Sequence, residues 1–352
     1  MNKKSKRKND LRSSIIFLVL LILLLLSATY AWFTANQVVT ISTLDVHIEA
    51  QNGLQISTDA TTWKSVITNA DITDAAYDGN INQVPSSMEP VSTVGEIDAN
   101  TGNMKMYYGT VAADDTDAGQ NKLSATLETD AKGATGKYIA FDLFLKAEKA
   151  VDLQLTNASG VVMKADSTDK GIKQASRVAF CVQGNKPSNT IDLTEITGLK
   201  GAVSFLEDSK TVYMWEPNAN LHTTEAVIHA RDTYGINDLK TDGTQAKVPY
   251  YGIEKEIPVE TGKDQGVLLK PSNDGTNTEY FKLVTPDYST ETDTTTGKMK
   301  TETQDVFSIA AGITKIRVYM WVEGQDVDCE NNASGTDISF NVQLQVKPTT
   351  TG

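Results

Sequence analysis

The most regular pattern of apolar and polar positions in this chain lies near its C-terminus, over residues 338–346. Apolar side chains occupy every second position, at Ile338, Phe340, Val342, Leu344 and Val346. Polar side chains fill the positions between them, at Ser339, Asn341, Gln343 and Gln345. Since successive residues of a strand point to opposite faces, the pattern predicts a strand of an antiparallel sheet with one face on a core and the other in water.

Similar patterns predict further strands over residues 44–50, 137–145, 151–155, 177–184, 211–215 and 315–323, with minor strands at 250–252 and 280–284. The short distance between residues 137–145 and 151–155 predicts that these two strands form an antiparallel pair. The Asn52-Gly53 dipeptide stands between the strand at 44–50 and the alternating Leu54 and Ile56. An Asn-Gly turn in this setting predicts a hairpin.

No helical period persists long enough to predict a major helix, and turns rich in Gly, Asn and Asp separate the strands. We therefore predict an all-β fold, an antiparallel β-sandwich or jelly roll, formed by residues 32–352 as one domain. The polar stretches over residues 57–136 and 219–312 are predicted to be long, loop-rich insertions. The first of them is predicted to be a solvated excursion from the sandwich.

The N-terminus has the three parts of a secretory signal peptide over residues 1–31. A basic tip precedes an apolar run at 15–26, and small residues follow at Thr29 and Ala31. This order predicts cleavage between Ala31 and Trp32. The alternative is an uncleaved membrane anchor, because residues 15–33 carry no charge and are long enough to span a bilayer. Both interpretations place the rest of the chain outside the cytoplasm, in the medium or at the cell surface, after export by the general secretory route.

The residues that follow the predicted cleavage site form an arm with a large apolar load, at Trp32, Phe33, Val38, Val39 and Ile41. The apolar positions of the arm and of the next strand fall on opposite parities, which predicts a bulge or bend near Thr43. Residues 32–43 are therefore predicted to form an arm that is distinct from the first strand. The arm either adds to the sheet of another subunit or folds back onto its own sheet.

Two segments at the N-terminus carry a family resemblance. The run ATYAWFT at 28–34, followed by STLDV at 42–46, resembles the N-terminus of the TasA/camelysin family of bacterial secreted proteins. Ala28 and Ser42 stand where the family has glycine, and the likeness is confined to about the first 50 residues. The resemblance implies a SipW-type signal peptidase as export partner, a Gram-positive source, and assembly into biofilm-matrix fibres by exchange of the N-terminal donor strand.

Three functions follow as hypotheses. The first is an exported cell-surface or biofilm-matrix structural protein that associates with itself. The alternatives are a monomeric, membrane-tethered surface binding module and a camelysin-like metallopeptidase. Without residues 1–31 the chain has 26 Lys and Arg against 44 Asp and Glu, a net charge near −18. This charge argues against nucleic acid and anionic lipid as partners, so that a membrane would be met only through residues 15–33 if they are uncleaved.

The peptidase hypothesis directs attention to metal ligands. The chain has no H-E-x-x-H motif, nucleophile elbow or phosphate-binding loop, so the sequence makes no positive case for catalysis. His222, Glu225 and His229 would share one face of a helix and could hold a metal, although two histidines in a polar segment also occur by chance. No other cofactor is predicted from these residues.

A second candidate metal site is the acidic stretch over residues 323–332. Asp326, Asp328 and Glu330 alternate there, and their oxygen atoms suit Ca²⁺, while the alternative is a solvated turn. Cys181 and Cys329 are the two cysteines of the chain. In an exported protein they could form one disulfide, or they could be buried free thiols.

Overall fold

The computed structural model describes residues 45–113, 121–130, 132–164, 167–187, 192–201, 211–218, 221–234, 237, 239–241, 280–284, 288–292, 299–301, 303–324, 326, 328–329 and 337–348. The predicted signal peptide, its cleavage site at Ala31 and Trp32, and the arm with Phe33, Val38, Val39 and Ile41 lie outside these residues. The minor strand predicted at 250–252 also lies outside them.

The described residues form mostly strands. In chain order these are β1 (Asp45–Gln51), β2 (Gln55–Ser57), β3 (Val66–Thr68), β4 (Met106–Ala113), β5 (Asn121–Glu128), β6 (Ile139–Ala147), β7 (Val151–Leu155), β8 (Gly160–Met163), β9 (Ser176–Lys186), β10 (Val212–Trp215), β11 (Phe281–Val284), β12 (Tyr288–Thr292), β13 (Met299–Thr301), β14 (Gln304–Ile309), β15 (Gly312–Val322) and β16 (Ile338–Val346). Four short helices accompany them, α1 (Asn69–Thr73), α2 (Ile172–Ala175), α3 (Leu193–Thr197) and α4 (Thr224–Tyr234). The predicted all-β class is confirmed.

The strands form two large sheets and two small ribbons. Sheet I has the order β14-β7-β16-β1-β3, and β8 also pairs with β16. Sheet II has the order β11-β10-β9-β15-β6-β2. The ribbons are β4-β5 and β12-β13. Most of the ladders are antiparallel, as expected, but both large sheets are mixed, because β1 runs parallel to β16 and β10 runs parallel to β11.

The main hydrophobic cluster takes side chains from both large sheets. Strands β1 and β16 of sheet I contribute Ile48, Phe340 and Val342, while β6 and β15 of sheet II contribute Phe141 and Val318. The β16 residues that alternate with the cluster members are partly exposed, as the sequence pattern predicts. The finer assignment of this arrangement to a β-sandwich or jelly roll stays a prediction.

Two predicted strand pairings are wrong, although the strands themselves are present. Asn52 and Gly53 both have positive φ and make a tight turn, but β1 belongs to sheet I and β2 to sheet II. Both sides of β1 are already paired, with β16 and β3, so β2 pairs with β6 instead. Likewise β6 belongs to sheet II and β7 to sheet I, so the turn between them joins the two sheets.

Sheet II is buried on both of its faces. All eleven residues of β15 are buried, and the residues that alternate with the main core face a second cluster, which contains Tyr138, Cys181 and Trp321. Residues from the polar stretch 57–136 complete that cluster, among them Val91 and Met106. The described part of this stretch contains β3, α1, β4 and β5, and its residues in the cluster are packed on the sheet rather than solvated.

Helix α4 lies in the stretch 219–312, where the sequence predicts no helix. Among its described side chains, those of Ala226 and Ala230 are buried, four residues apart. Alanine gives little contrast in a hydrophobic pattern, which explains why the helical period is not visible.

Candidate functional site

A cavity of about 410 Å³ lies over the outer face of sheet II. Its floor is made by four buried polar side chains that project from neighbouring strands, Asp142 of β6, Gln183 of β9, and Lys315 and Arg317 of β15. Its walls are residues 78–81, residues 101–103, and helix α3 with the turn that follows it. On this face of the sheet, the polar side chains lie between the cluster that contains Trp321 and a smaller apolar cluster that contains Phe144 and Ile313.

Arg317 is held at the floor by two carboxylates. It lies directly opposite Asp142 in the β15–β6 ladder, and its Nη1 donates to Asp142 Oδ1 at 2.8 Å. Its Nη2 donates to Asp130 Oδ2 at 2.7 Å and to the carbonyl oxygen of Ile81 at 3.1 Å. Its Nε donates to the same Asp130 oxygen at 2.9 Å. These bonds neutralise the guanidinium and anchor the 78–81 wall.

Lys315 anchors the wall that contains α3. Its Nζ donates to the carbonyl oxygens of Thr197 at 2.6 Å and Leu199 at 3.3 Å, where the positive charge suits the C-terminal end of the helix. The same Nζ lies 3.0 Å from Asp142 Oδ2, which also accepts from the Tyr77 hydroxyl at 2.7 Å. The three acceptors use all three protons of the ammonium group.

Burial and neighbouring charges both shift the pKa values of Asp142 and Lys315. Burial would raise the pKa of Asp142, but the positive charges of Arg317 and Lys315 outweigh it and hold the pKa below its usual range. Burial lowers the pKa of Lys315, and the charge of Asp142 opposes this effect. Asp142 is therefore a carboxylate at neutral pH.

Gln183 anchors the third wall. Its Nε2 donates to the carbonyl oxygen of Gly102 at 2.8 Å, and its Oε1 is buried without a hydrogen-bond donor among the described residues. Gly102 has a φ of +75° and its Cα lies against the Lys200 backbone, so an added Cβ would be 2.9 Å from the Lys200 carbonyl oxygen. Each wall of the cavity is thus tied either to the floor or to another wall.

The polar residues of the cavity floor are not predicted from the sequence. Asp142 stands within the apolar strand KYIAFDLFL, and Lys315 and Arg317 alternate within KIRVYMWVE. The signal that could have identified them is a charged residue near the centre of a predicted strand in which the adjacent residues are apolar. This signal is not recognisable from the sequence, because the outer face of the expected sandwich is exposed to solvent and charged residues are common on such a face.

The predicted calcium ligands lie elsewhere, at a second buried cluster. Asp326 pairs with Arg177 through Oδ2, and its Oδ1 accepts from the Asp328 backbone N–H at 2.8 Å. Arg177 also lies 3.3 Å from Glu216. Glu330 lies outside the described residues. Since the protein's own donors occupy these carboxylates, their geometry favours an ion-pair network and gives no support to a calcium site.

His222 is part of the same cluster. Its Nδ1 lies 2.6 Å from Asp328 Oδ2, and Asp328 Oδ1 accepts from the backbone N–H of Thr223 at 2.8 Å. Helix α4 begins only at Thr224, after His222, and Glu225 on its first turn is exposed while His222 is buried. The predicted common face of His222, Glu225 and His229 is therefore wrong for the first two, and the side chain of His229 lies outside the described part. In the described ranges, no group of three or more His, Cys, Asp or Glu could hold a metal.

Burial and charge also shift the pKa values of this cluster. Burial raises the pKa of Asp326 to about 6, although Arg177 opposes the effect. Burial raises the pKa of Glu216 well above its usual value. Burial alone would lower the pKa of His222, but the hydrogen bond and charge of Asp328 raise it. The cluster therefore retains protons at mildly acidic pH.

The sequence leaves open whether the two cysteines pair. Cys181 and Cys329 are both buried and are not joined by a disulfide, as in the alternative of buried thiols. Cys181 belongs to the cluster on the outer face of sheet II, whereas Cys329 belongs to the main core. The two thiols are therefore packed in different clusters, and burial raises the pKa of Cys181.

No family model, curated protein or solved structure matches this chain. Among the described helices, none has the length and apolar character needed to cross a bilayer.

Proposed function

We propose that this protein is an exported cell-surface or matrix structural protein, and that its N-terminal arm, residues 32–43, adds as a strand to a sheet of a neighbouring copy. The observation that carries the proposal is that sheet I, to which the arm leads directly through β1, has strands without a second strand partner among the described residues. Strands β3, β8 and β14 each have one strand partner in the part of the chain that the structure describes. Unpaired backbone N–H and C=O groups on such strands are a template for a further strand.

The strand β8 is the edge that best fits an added strand. It pairs with β16 over Gly160 to Met163, and its Val162 is 47% exposed, the largest exposure among the large apolar residues of the described chain. The arm brings five apolar residues that would otherwise be exposed at a chain terminus. Strand addition would satisfy the remaining backbone groups of β8, where the Val161 carbonyl oxygen already accepts from Asn218 Nδ2 at 3.5 Å, and would cover apolar surface on both partners.

The test is deletion of residues 32–43 from the exported protein, followed by measurement of particle size and circular dichroism. The proposal predicts folded monomers that no longer form oligomers or fibres. A destabilised monomer, with an oligomeric state that does not depend on the arm, would show that the arm packs on its own sheet.

A pair of matched substitutions tests the edge itself. Lysine on an edge strand disfavours pairing, so Val162→Lys should weaken assembly. Ile228→Lys is the control, because Ile228 is 45% exposed but lies on helix α4 rather than on a strand. Equal effects of the two variants on particle size would rule out β8 as the acceptor.

The second candidate function is a surface binding module, and one observation favours it, the cavity over sheet II. Its volume lies within the range of small-molecule sites, roughly 300–1,000 Å³. This function is compatible with assembly, since the cavity and strand β8 belong to different sheets. No feature of the described residues favours the third hypothesis, a metallopeptidase.

A further inference from the structure

The cavity over sheet II has a floor whose charges are already balanced. Arg317 and Lys315 are paired with Asp130 and Asp142, and the described hydrogen bonds use all the protons of Lys315 and most of those of Arg317. An anionic ligand would have to compete with these buried carboxylates for the two cations. At the floor, a cationic ligand would meet the two cations, and both described carboxylates there are already paired with them.

The rim of the cavity is also balanced in charge. Asp78 and Lys200 both line it and both are exposed. The remaining rim and wall residues with polar side chains are uncharged, namely Thr101, Asn103, Thr194 and Thr197. Burying an unpaired charge is costly, so a cavity without net charge selects a neutral ligand.

The groups left over for a ligand are hydrogen-bonding groups of both kinds. Arg317 Nη1 has two protons, of which Asp142 takes one. The buried Oε1 of Gln183 has no donor among the described residues, and Gln183 is only 3% exposed. Asn103 adds a half-buried amide, with both donors and an acceptor. A hydroxyl group, which donates and accepts, satisfies either kind of partner.

We propose that this cavity binds a neutral polyhydroxylated ligand, a saccharide unit that meets Gln183, Asn103 and Arg317 through its hydroxyl groups. The proposal rests on the second function above, binding at this cavity, and adds the class of ligand. The exposed rim at Thr194, Gly198 and Lys200 leaves the saccharide open to solvent on one side. One unit of a longer neutral glycan therefore fits as well as a free sugar.

The test is isothermal titration calorimetry of the exported protein with neutral disaccharides, namely maltose, cellobiose, lactose and di-N-acetylchitobiose. Glucuronic acid, glucose 6-phosphate and glucosamine serve as charged counterparts. We expect at least one neutral disaccharide to bind, and the charged sugars to bind at least about tenfold more weakly because their charge is left unpaired.

Two variants locate the site. Asn103→Ala removes a wall amide and should weaken binding about tenfold, the loss of one hydrogen bond. Asn100→Ala is the matched control, because Asn100 lies on the same loop but does not line the cavity. Thr194→Trp places an indole at the exposed rim and should abolish binding. Thermal unfolding of each variant shows that the fold is kept.

The possible failures are distinguishable. If none of the sugars, neutral or charged, binds, the binding function of the cavity is refuted together with its ligand class. If the charged sugars bind more tightly than the neutral ones, the binding function stands and the ligand class is wrong. If a neutral sugar binds but Thr194→Trp leaves its affinity unchanged, the saccharide site lies elsewhere and the proposal is overturned.

Discussion

Replacing Asp142 by Asn removes the carboxylate that Arg317 and Lys315 share beneath the cavity. In the folded protein, Asp142 accepts from Arg317 Nη1 at 2.8 Å, from Lys315 Nζ at 3.0 Å and from the Tyr77 hydroxyl at 2.7 Å. Asparagine keeps one acceptor oxygen and presents an amide that cannot accept. At least one of these donors is then left facing another donor, and two buried cations lose a neutralising charge.

The magnitude follows from the burial of the network. Removing one partner of a buried ion pair costs roughly 3–5 kcal/mol. Lys315 keeps two carbonyl acceptors and Arg317 keeps Asp130, so we expect the lower end, a loss of about 3 kcal/mol in the free energy of unfolding.

Urea unfolding of Asp142→Asn, monitored by tryptophan fluorescence, measures this loss. Glu195→Gln makes the same chemical change at a surface pair, where Glu195 lies 2.6 Å from Lys186 and its side chain is 57% exposed. This control should lose less than about 1 kcal/mol. If Asp142→Asn were no less stable than Glu195→Gln, the reasoning from the buried network would be refuted.

Two further predictions concern the second cluster and a turn. The folded state retains protons on Asp326, whose pKa rises from 3.8 to about 6, and on Glu216 and His222, whose pKa values are also raised. The contribution of this cluster to the free energy of unfolding should therefore fall as pH rises from about 4 to about 7. Urea midpoints across this range measure the slope, and Asp326→Asn should flatten it; an unchanged slope in that variant would contradict the assignment. Gly312 has a φ of +102°, and an added Cβ would lie 2.0 Å from the Lys186 carbonyl oxygen, so Gly312→Ala should cost more than about 1 kcal/mol. Thermal unfolding measures this loss, and Gly160→Ala, where the added Cβ has open space, is the control. Equal losses in the two variants would refute the prediction.

The strands of this protein can be predicted from the sequence because alternation is a local signal. The predicted bounds of β7 and β16 agree with the observed strands. The predicted residues 177–184 lie in β9, and the predicted residues 315–323 lie in β15 except for Glu323. Strand partners are a different matter, since neighbouring strands such as β6 and β7 join opposite sheets. Which sheet a strand enters depends on ladders formed by distant segments, and no local pattern contains that information.

The candidate cavity could not be predicted for a related reason. Charges such as Asp142 and Arg317 mark a buried site only when the outer face of their sheet is covered. The cover comes from helix α3 and from the stretch 57–136, whose polar composition predicts a solvated excursion. Its few apolar residues, including Val91 and Met106, are sufficient to pack on the sheet.

The parallel pairing of β1 with β16 has a consequence for the order in which the chain acquires structure. Asp45 lies opposite Ser339 and Gln51 opposite Gln345, so an inner ladder of sheet I joins the first described strand to the last. A ribosome releases the N-terminal strand long before its partner. Most of the polypeptide must therefore emerge before this ladder closes, and the domain matures late in synthesis. Such non-local pairing also slows folding, so the chain stays unfolded, and able to pass through a narrow channel, for longer.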